Sequence, residues 1–164
     1  MLTLTPDQLV GQIQLQTNLI HRHIDDLTDD DAYVAPAGAN SANWLLGHLL
    51  IFRDSACAML GAERQLPEAL HARYGNGSAA ITAAADDVPT LAQLCTMLDD
   101  QLPQLLAHVQ SATEETFAQE VTRPNGSVTT IGARFAFYML FHEPFHIGQF
   151  EYVRHAVGKH EGLI

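Results

Sequence analysis

Two histidines four residues apart, His142 and His146, lie inside an otherwise apolar helical stretch, FYMLFHEPFHIGQFEY, from Phe137 to Tyr152. Side chains four apart on a helix stack on one face, so a helix here buries two imidazoles together. A buried imidazole must find a hydrogen-bond partner or a metal ion. The fold must therefore set against this helix an apolar neighbour that satisfies both rings. A second apolar stretch, NWLLGHLL from Asn43 to Leu50, brings its own histidine, His48, close to the centre of its stripe.

The rest of the chain reads as helix in the same way. Thr5, Pro6 and Gln8 form a helix start with a capping box, followed by Leu9, Ile13, Ile20, Ile24 and Leu27 on one face. A second helix opens at Asn40 or Ser41 and carries Trp44, Leu45, His48, Leu49, Phe52, Ala56 and Met59 towards a stop at Gly61. The third opens at Asp87 to Thr90 and presents Leu91, Leu94, Leu98, Leu102, Leu105 and Val109, with Pro103 on the opposite side. The fourth runs from about Thr129 to Val157, its core face including Ile131, Phe135, Tyr138, Met139, both histidines, Gln149, Phe150 and Val153. No stretch makes a convincing strand, and Pro124-Asn125-Gly126 reads as a turn. The expectation is an all-α, antiparallel four-helix bundle in a single domain spanning 1–164. The long connection from Ala62 to Asp87, with a short helix near Pro67 to Tyr74, either crosses the bundle or lies over the site. His71 within it is expected to be exposed.

Charge narrows the function. Lys plus Arg number 8 against 19 Asp plus Glu, a formal net charge of −11. So acidic a surface repels phosphate backbones and anionic lipid, which argues against nucleic-acid and membrane partners. No apolar run reaches the roughly 18 residues of a membrane span. MLTLTPDQL lacks the basic-then-apolar pattern of a secretory leader. A cytoplasmic protein is expected. Cys57 and Cys95 show no metal-type spacing and read as buried free thiols.

Facing helices of a bundle build metal sites from inward side chains, and here His48, His142 and His146 offer three nitrogens. Imidazole favours a transition metal over magnesium or calcium. Three protein ligands leave a position open for water or substrate, the pattern of a catalytic site. His142-Glu143-Pro144-Phe145-His146 also matches the H-E-x-x-H helix of zinc proteases. No third histidine follows at the spacing those enzymes use, and Pro144 disturbs the helix, so a protease is not expected. Glu143 projects about a quarter-turn off the histidine face, which suits support of the ligands or a subunit contact better than a catalytic base. Gln149, Tyr138 and His23 are further candidates for orienting the ligands or a substrate.

Asn43-Trp44-Leu45-Leu46-Gly47-His48-Leu49 and His142-Glu143-Pro144-Phe145-His146-Ile147-Gly148-Gln149 together resemble the motifs of the DinB-like metal-binding four-helix bundles. The resemblance extends over nearly the whole chain. It implies that His48, His142 and His146 are the metal ligands, that the metal is zinc or nickel, with iron and manganese as further candidates, and that the protein is a homodimer. It also implies a metal-dependent transferase that joins a low-molecular-weight thiol to a small electrophilic substrate. The alternatives it leaves open are a metal-dependent hydrolase and a non-catalytic metal-binding or stress-response protein. The family name implies no contact with DNA.

Overall fold

The computed structural model describes residues 4–123 and 125–161, so the first three residues of MLTLTPDQL and Pro124 of the expected turn lie outside the described residues. Helix α1 (Pro6–Ile24) starts from the capping box of Thr5 and Gln8. A single turn, α2 (Asp29–Ala32), follows, capped by Thr28. Helix α3 (Ala42–Met59) is capped by Ser41, whose hydroxyl accepts from the Trp44 amide. Gly61, at φ +94°, ends it. The connection then forms α4 (Glu68–Arg73) before Thr90 caps α5 (Leu91–Ser111).

Helix α5 leads into a short α6 (Glu114–Ala118) and a small hairpin, β1 (Glu120–Thr122) against β2 (Val128–Thr130), antiparallel with Glu120 opposite Thr130. The sequence reading expected no strand here. Three-residue strands on the surface carry too few side chains for an alternating pattern to stand out. Helix α7 (Ile131–Ala136) passes into a π-helical segment, Phe137–His142, and then into α8 (Glu143–Ala156).

Residues that touch across the interior fix the directions. The start of α1, the end of α3, the end of α5 and α7 share one apolar cluster, with Leu9, Ile13, Ala56, Leu105, Val109 and Phe135. The end of α1, the starts of α3 and α5, and α8 share the other, with Ile24, Leu45, Leu94, Ile147 and Phe150. The order is therefore up, down, down, up. Around the bundle α5 and α8 each pack against both α1 and α3, so α1 and α3 stand on a diagonal. Because α3 and α5 run parallel, the chain must travel the length of the bundle between them, which is why residues 62–87 form a long crossover.

That crossover lies along α3 and is bonded to it. Tyr74 is buried, donates its hydroxyl to Asn43 Oδ1 at 2.9 Å and packs its ring on Gly47. Trp44 Nε1 donates to Ser78 Oγ at 2.8 Å. Asp54 Oδ1 accepts the Gln65 amide, while Oδ2 lies 2.8 Å from His71 Nε2. His71, expected to be exposed, is instead held by that buried carboxylate. Covered by α5, α8 and the crossover, α3 is buried on nearly all sides, Arg53 and Asp54 included. Among the described residues no helix is long and apolar enough to cross a membrane.

Candidate metal centre

The π-helical segment decides how the fourth helix presents its histidines. Proline has no amide hydrogen, and its ring clashes with the carbonyl four residues back; for Pro144 that is Leu140. Widening the helix just before the proline removes the conflict. The Glu143 amide reaches five residues back to the Tyr138 carbonyl. The widened turn exposes backbone acceptors, and Gln16 on α1 donates Nε2 to the Met139 carbonyl at 2.6 Å. Gln16 is buried, its second amide atom without a partner. Such π segments occur often at functional sites.

Below that turn, His142 Nε2 lies 3.1 Å from His48 Nε2 and 3.2 Å from His146 Nε2. All three ligand nitrogens fall within 4.8 Å of one another. Nitrogens bound at about 2.0–2.1 Å to one ion lie roughly 2.9–3.4 Å apart at octahedral to tetrahedral angles, so the two measured edges are those of a coordination sphere. The outer ring nitrogens set the proton positions. His48 Nδ1 donates to the Tyr74 carbonyl at 2.6 Å, and His146 Nδ1 faces Gln149 Oε1 at 2.7 Å. Both acceptors require the proton on Nδ1, which leaves each Nε2 as a bare lone pair. His142 Nδ1 is buried without a partner, so either a proton on His142 Nε2 or a metal ion can sit among the three converging nitrogens. The donor set thus fits a divalent transition metal.

Electrostatics agrees with that chemistry. Burial pushes His48 down to about 4 from an ordinary 6.5, against the pull of the Tyr74 carbonyl, with His146 adding to the depression. Burial and then His146 and His48 hold His142 at about 3. His146 is lowered by burial and partly restored by Gln149. All three are neutral at pH 7, the form a metal needs. Their rings are enclosed by aromatic side chains: Trp44 stacks on His48 at 4.4 Å and Phe52 on His142 at 4.1 Å.

The remaining candidates divide. Gln149 touches His146 as described, and Tyr138 packs edge-on against Phe52 at 4.8 Å, with its ring 6.2 Å from His142. His23 is elsewhere: it is fully buried, with Nδ1 bonded to the Leu19 carbonyl and Nε2 3.4 Å from Glu151. Its partners, Leu19, Glu151 and Phe150, do not include any of the three clustered histidines. Glu143 is buried and gives both carboxylate oxygens to Arg53, at 2.7 and 2.9 Å. Arg53 in turn donates to Thr17 Oγ1 on α1. Glu143 is therefore an anchor of α8, not a base. The sequence reading missed Arg53, although an arginine in the middle of the apolar run LLIFRDSA is a signal that a buried carboxylate waits for it. It also read Tyr74 only as the end of a short helix in the connection. Burial pushes the Cys57 and Cys95 thiols up to about 11 each, so both are protonated at neutral pH. Cys57 is buried and Cys95 half-buried.

Beside the histidines a cavity of about 380 Å³ is lined by Phe52, Asn76, Arg123, Arg134, Phe137 and Tyr138. Three of its walls, Phe52, Phe137 and Tyr138, pack on the His142 ring.

Comparison with curated proteins gives no match. Among solved structures, the chain is similar to YfiT from Bacillus subtilis, described as a probable metal-dependent hydrolase with an unusual four-helix bundle topology. The TM-score is 0.66 at 15% identity, over 93% of this chain and 87% of that one. The family profile described as DinB superfamily matches residues 12–150, a span that holds all three histidines and both motifs that carry them. The chain belongs to the DinB superfamily.

Proposed function

We propose that this protein is a metal-dependent enzyme that transfers a low-molecular-weight thiol to a small electrophile, with His48, His142 and His146 as the ligands. The observation that carries the reading is the convergence of three Nε2 atoms beside a cavity. A divalent zinc or nickel ion held there would supply Lewis acidity, lowering the pKa of a thiol or water that reaches it. The chain's own residues do the rest. Tyr74 and Gln149 hold two imidazoles in the ligating tautomer, and the aromatic wall keeps the rings dry. The cavity, whose walls include three rings near His142 but no histidine, supplies the room for a substrate that a catalytic reading needs. Hydrolysis is the second reading, favoured by the fold shared with YfiT.

The homodimer implied by the family resemblance is supported by a row of exposed side chains on the fourth helix, Phe137, Phe141, Phe145 and Tyr152. Phe141 stacks on Phe145 at 6.3 Å and lies tilted against Phe137 at 5.5 Å. A second copy is the partner we assign to it.

Metal analysis of the purified protein tests the centre: about one transition-metal ion per chain is expected. His48→Ala and His142→Ala lose it, while His160→Ala keeps it. Equal content in all three variants refutes the ligand assignment. The loaded protein is then assayed with thiol plus electrophile and, separately, with ester and amide substrates. Turnover only in the second assay replaces transfer with hydrolysis.

A further inference from the structure

We infer that the cavity beside the histidines is a subsite for the carboxylate of a substrate whose remaining part is apolar. This rests on the enzyme reading above and names the substrate class it acts on. The chain has only 8 basic side chains against 19 acidic ones, and most of its arginines are occupied. Arg53 pairs with Glu143, Arg64 with Glu68, Arg73 with Asp87, and Arg154 with Asp26. Arg22 is exposed on α1. Arg123 and Arg134 are the two others, and both line this one cavity.

Neither has a carboxylate partner among the described residues. Arg123 is exposed at the end of β1, and its Nη2 donates only to Thr129 Oγ1, at 3.3 Å. Arg134 lies over the Tyr138 ring, with its guanidinium carbon 5.2 Å from the ring centre. That stacking fixes its plane while leaving its N–H groups free to donate. In a molecule of net charge −11, anions are repelled at long range, so two unpaired guanidiniums on one concavity form a local exception. Guanidinium and carboxylate match as paired planar hydrogen-bonding groups. The facing walls, Phe52, Phe137 and Tyr138, are aromatic and receive an apolar body. Because those same rings pack on His142, a carboxylate held by the arginines places its apolar arm next to the ligand cluster.

Calorimetric titration of the full chain with 4-phenylbutanoate and with its neutral amide tests this, on both metal-free and metal-loaded protein. The metal-free arm isolates the arginines from any direct bond between carboxylate and ion. The carboxylate is expected to bind roughly tenfold or more tightly than the amide. Arg123→Gln and Arg134→Gln each erase most of that preference while the amide's affinity stays unchanged, and Arg22→Gln leaves it intact. Equal or absent binding of the two probes overturns the inference. So does a preference that survives both cavity substitutions, or one that Arg22→Gln removes equally. A chain that takes up no metal yet keeps the preference fails the catalytic reading alone. One that loads metal but shows no preference fails only the carboxylate subsite.

Discussion

Arg53 shows how much one buried charge can organise. Its guanidinium, fully buried in the middle of α3, joins Glu143 of α8 to Thr17 of α1. Removing one partner leaves the other charged in a dry interior, which costs about 3–5 kcal/mol, whereas replacing both with apolar groups costs far less. Arg53→Met or Glu143→Leu is therefore expected to lower urea-unfolding stability by about that amount, and the double variant to recover most of it. Equal losses in single and double variants would show that packing, not charge, governs the site. The three clustered histidines make a second prediction. Their folded pKa values lie below the ordinary 6.5, at about 4 for His48 and about 3 for His142. Between 6.5 and those values the unfolded chain binds protons that the fold refuses, so stability is full above 6.5 and falls as pH drops towards 4 and 3. Thermal melting of metal-free protein should decline across that window, and less steeply in His142→Phe. An unchanged slope in the variant would assign the acid sensitivity to the carboxylates.

At the level of elements, the crossover depends on one missing side chain. A Cβ on Gly47 would lie 2.2 Å from the Tyr74 ring. Gly47→Ala must therefore push Tyr74 away, and overpacking of this kind costs typically about 1–3 kcal/mol. Since the Tyr74 carbonyl holds His48 Nδ1, metal affinity should fall together with stability; a calorimetric titration with zinc that matches the parent would separate the two. The four long helices and the three histidines were legible in the sequence because periodicity and capping are local signals. Thr5, Ser41 and Thr90 cap where their side chains predict. The π-helical segment was not legible: Pro144 announces a disturbance but not whether the helix kinks or widens, and Gln16, far away in sequence, helps hold the widened turn. The crossover's contacts escaped for the same reason, because Tyr74, His71 and Ser78 acquire partners only when the chain passes along α3. Arg123 and Arg134 stand apart in sequence, and only the hairpin's return onto α7 brings them to one cavity.

For the whole molecule, the fourth helix packs on α1 and α3 with one side and carries an exposed aromatic row on another. Phe141 is 62% and Phe145 56% exposed, and a contiguous exposed apolar row of this kind marks an interaction surface. Sedimentation at micromolar concentration is expected to give a dimer, and Phe141→Asp with Phe145→Asp a monomer of unchanged helicity. A parent that sediments as a monomer would leave the aromatic row for another role. The carbonyl of Tyr74 has a wider consequence. It ties one of the converging rings to a segment that spans the bundle from end to end, so the grip on an ion and the seating of that strap share a single hydrogen bond. Loosening either slackens the other, and a cation arriving at the centre would tighten the whole length of chain that joins the two parallel helices.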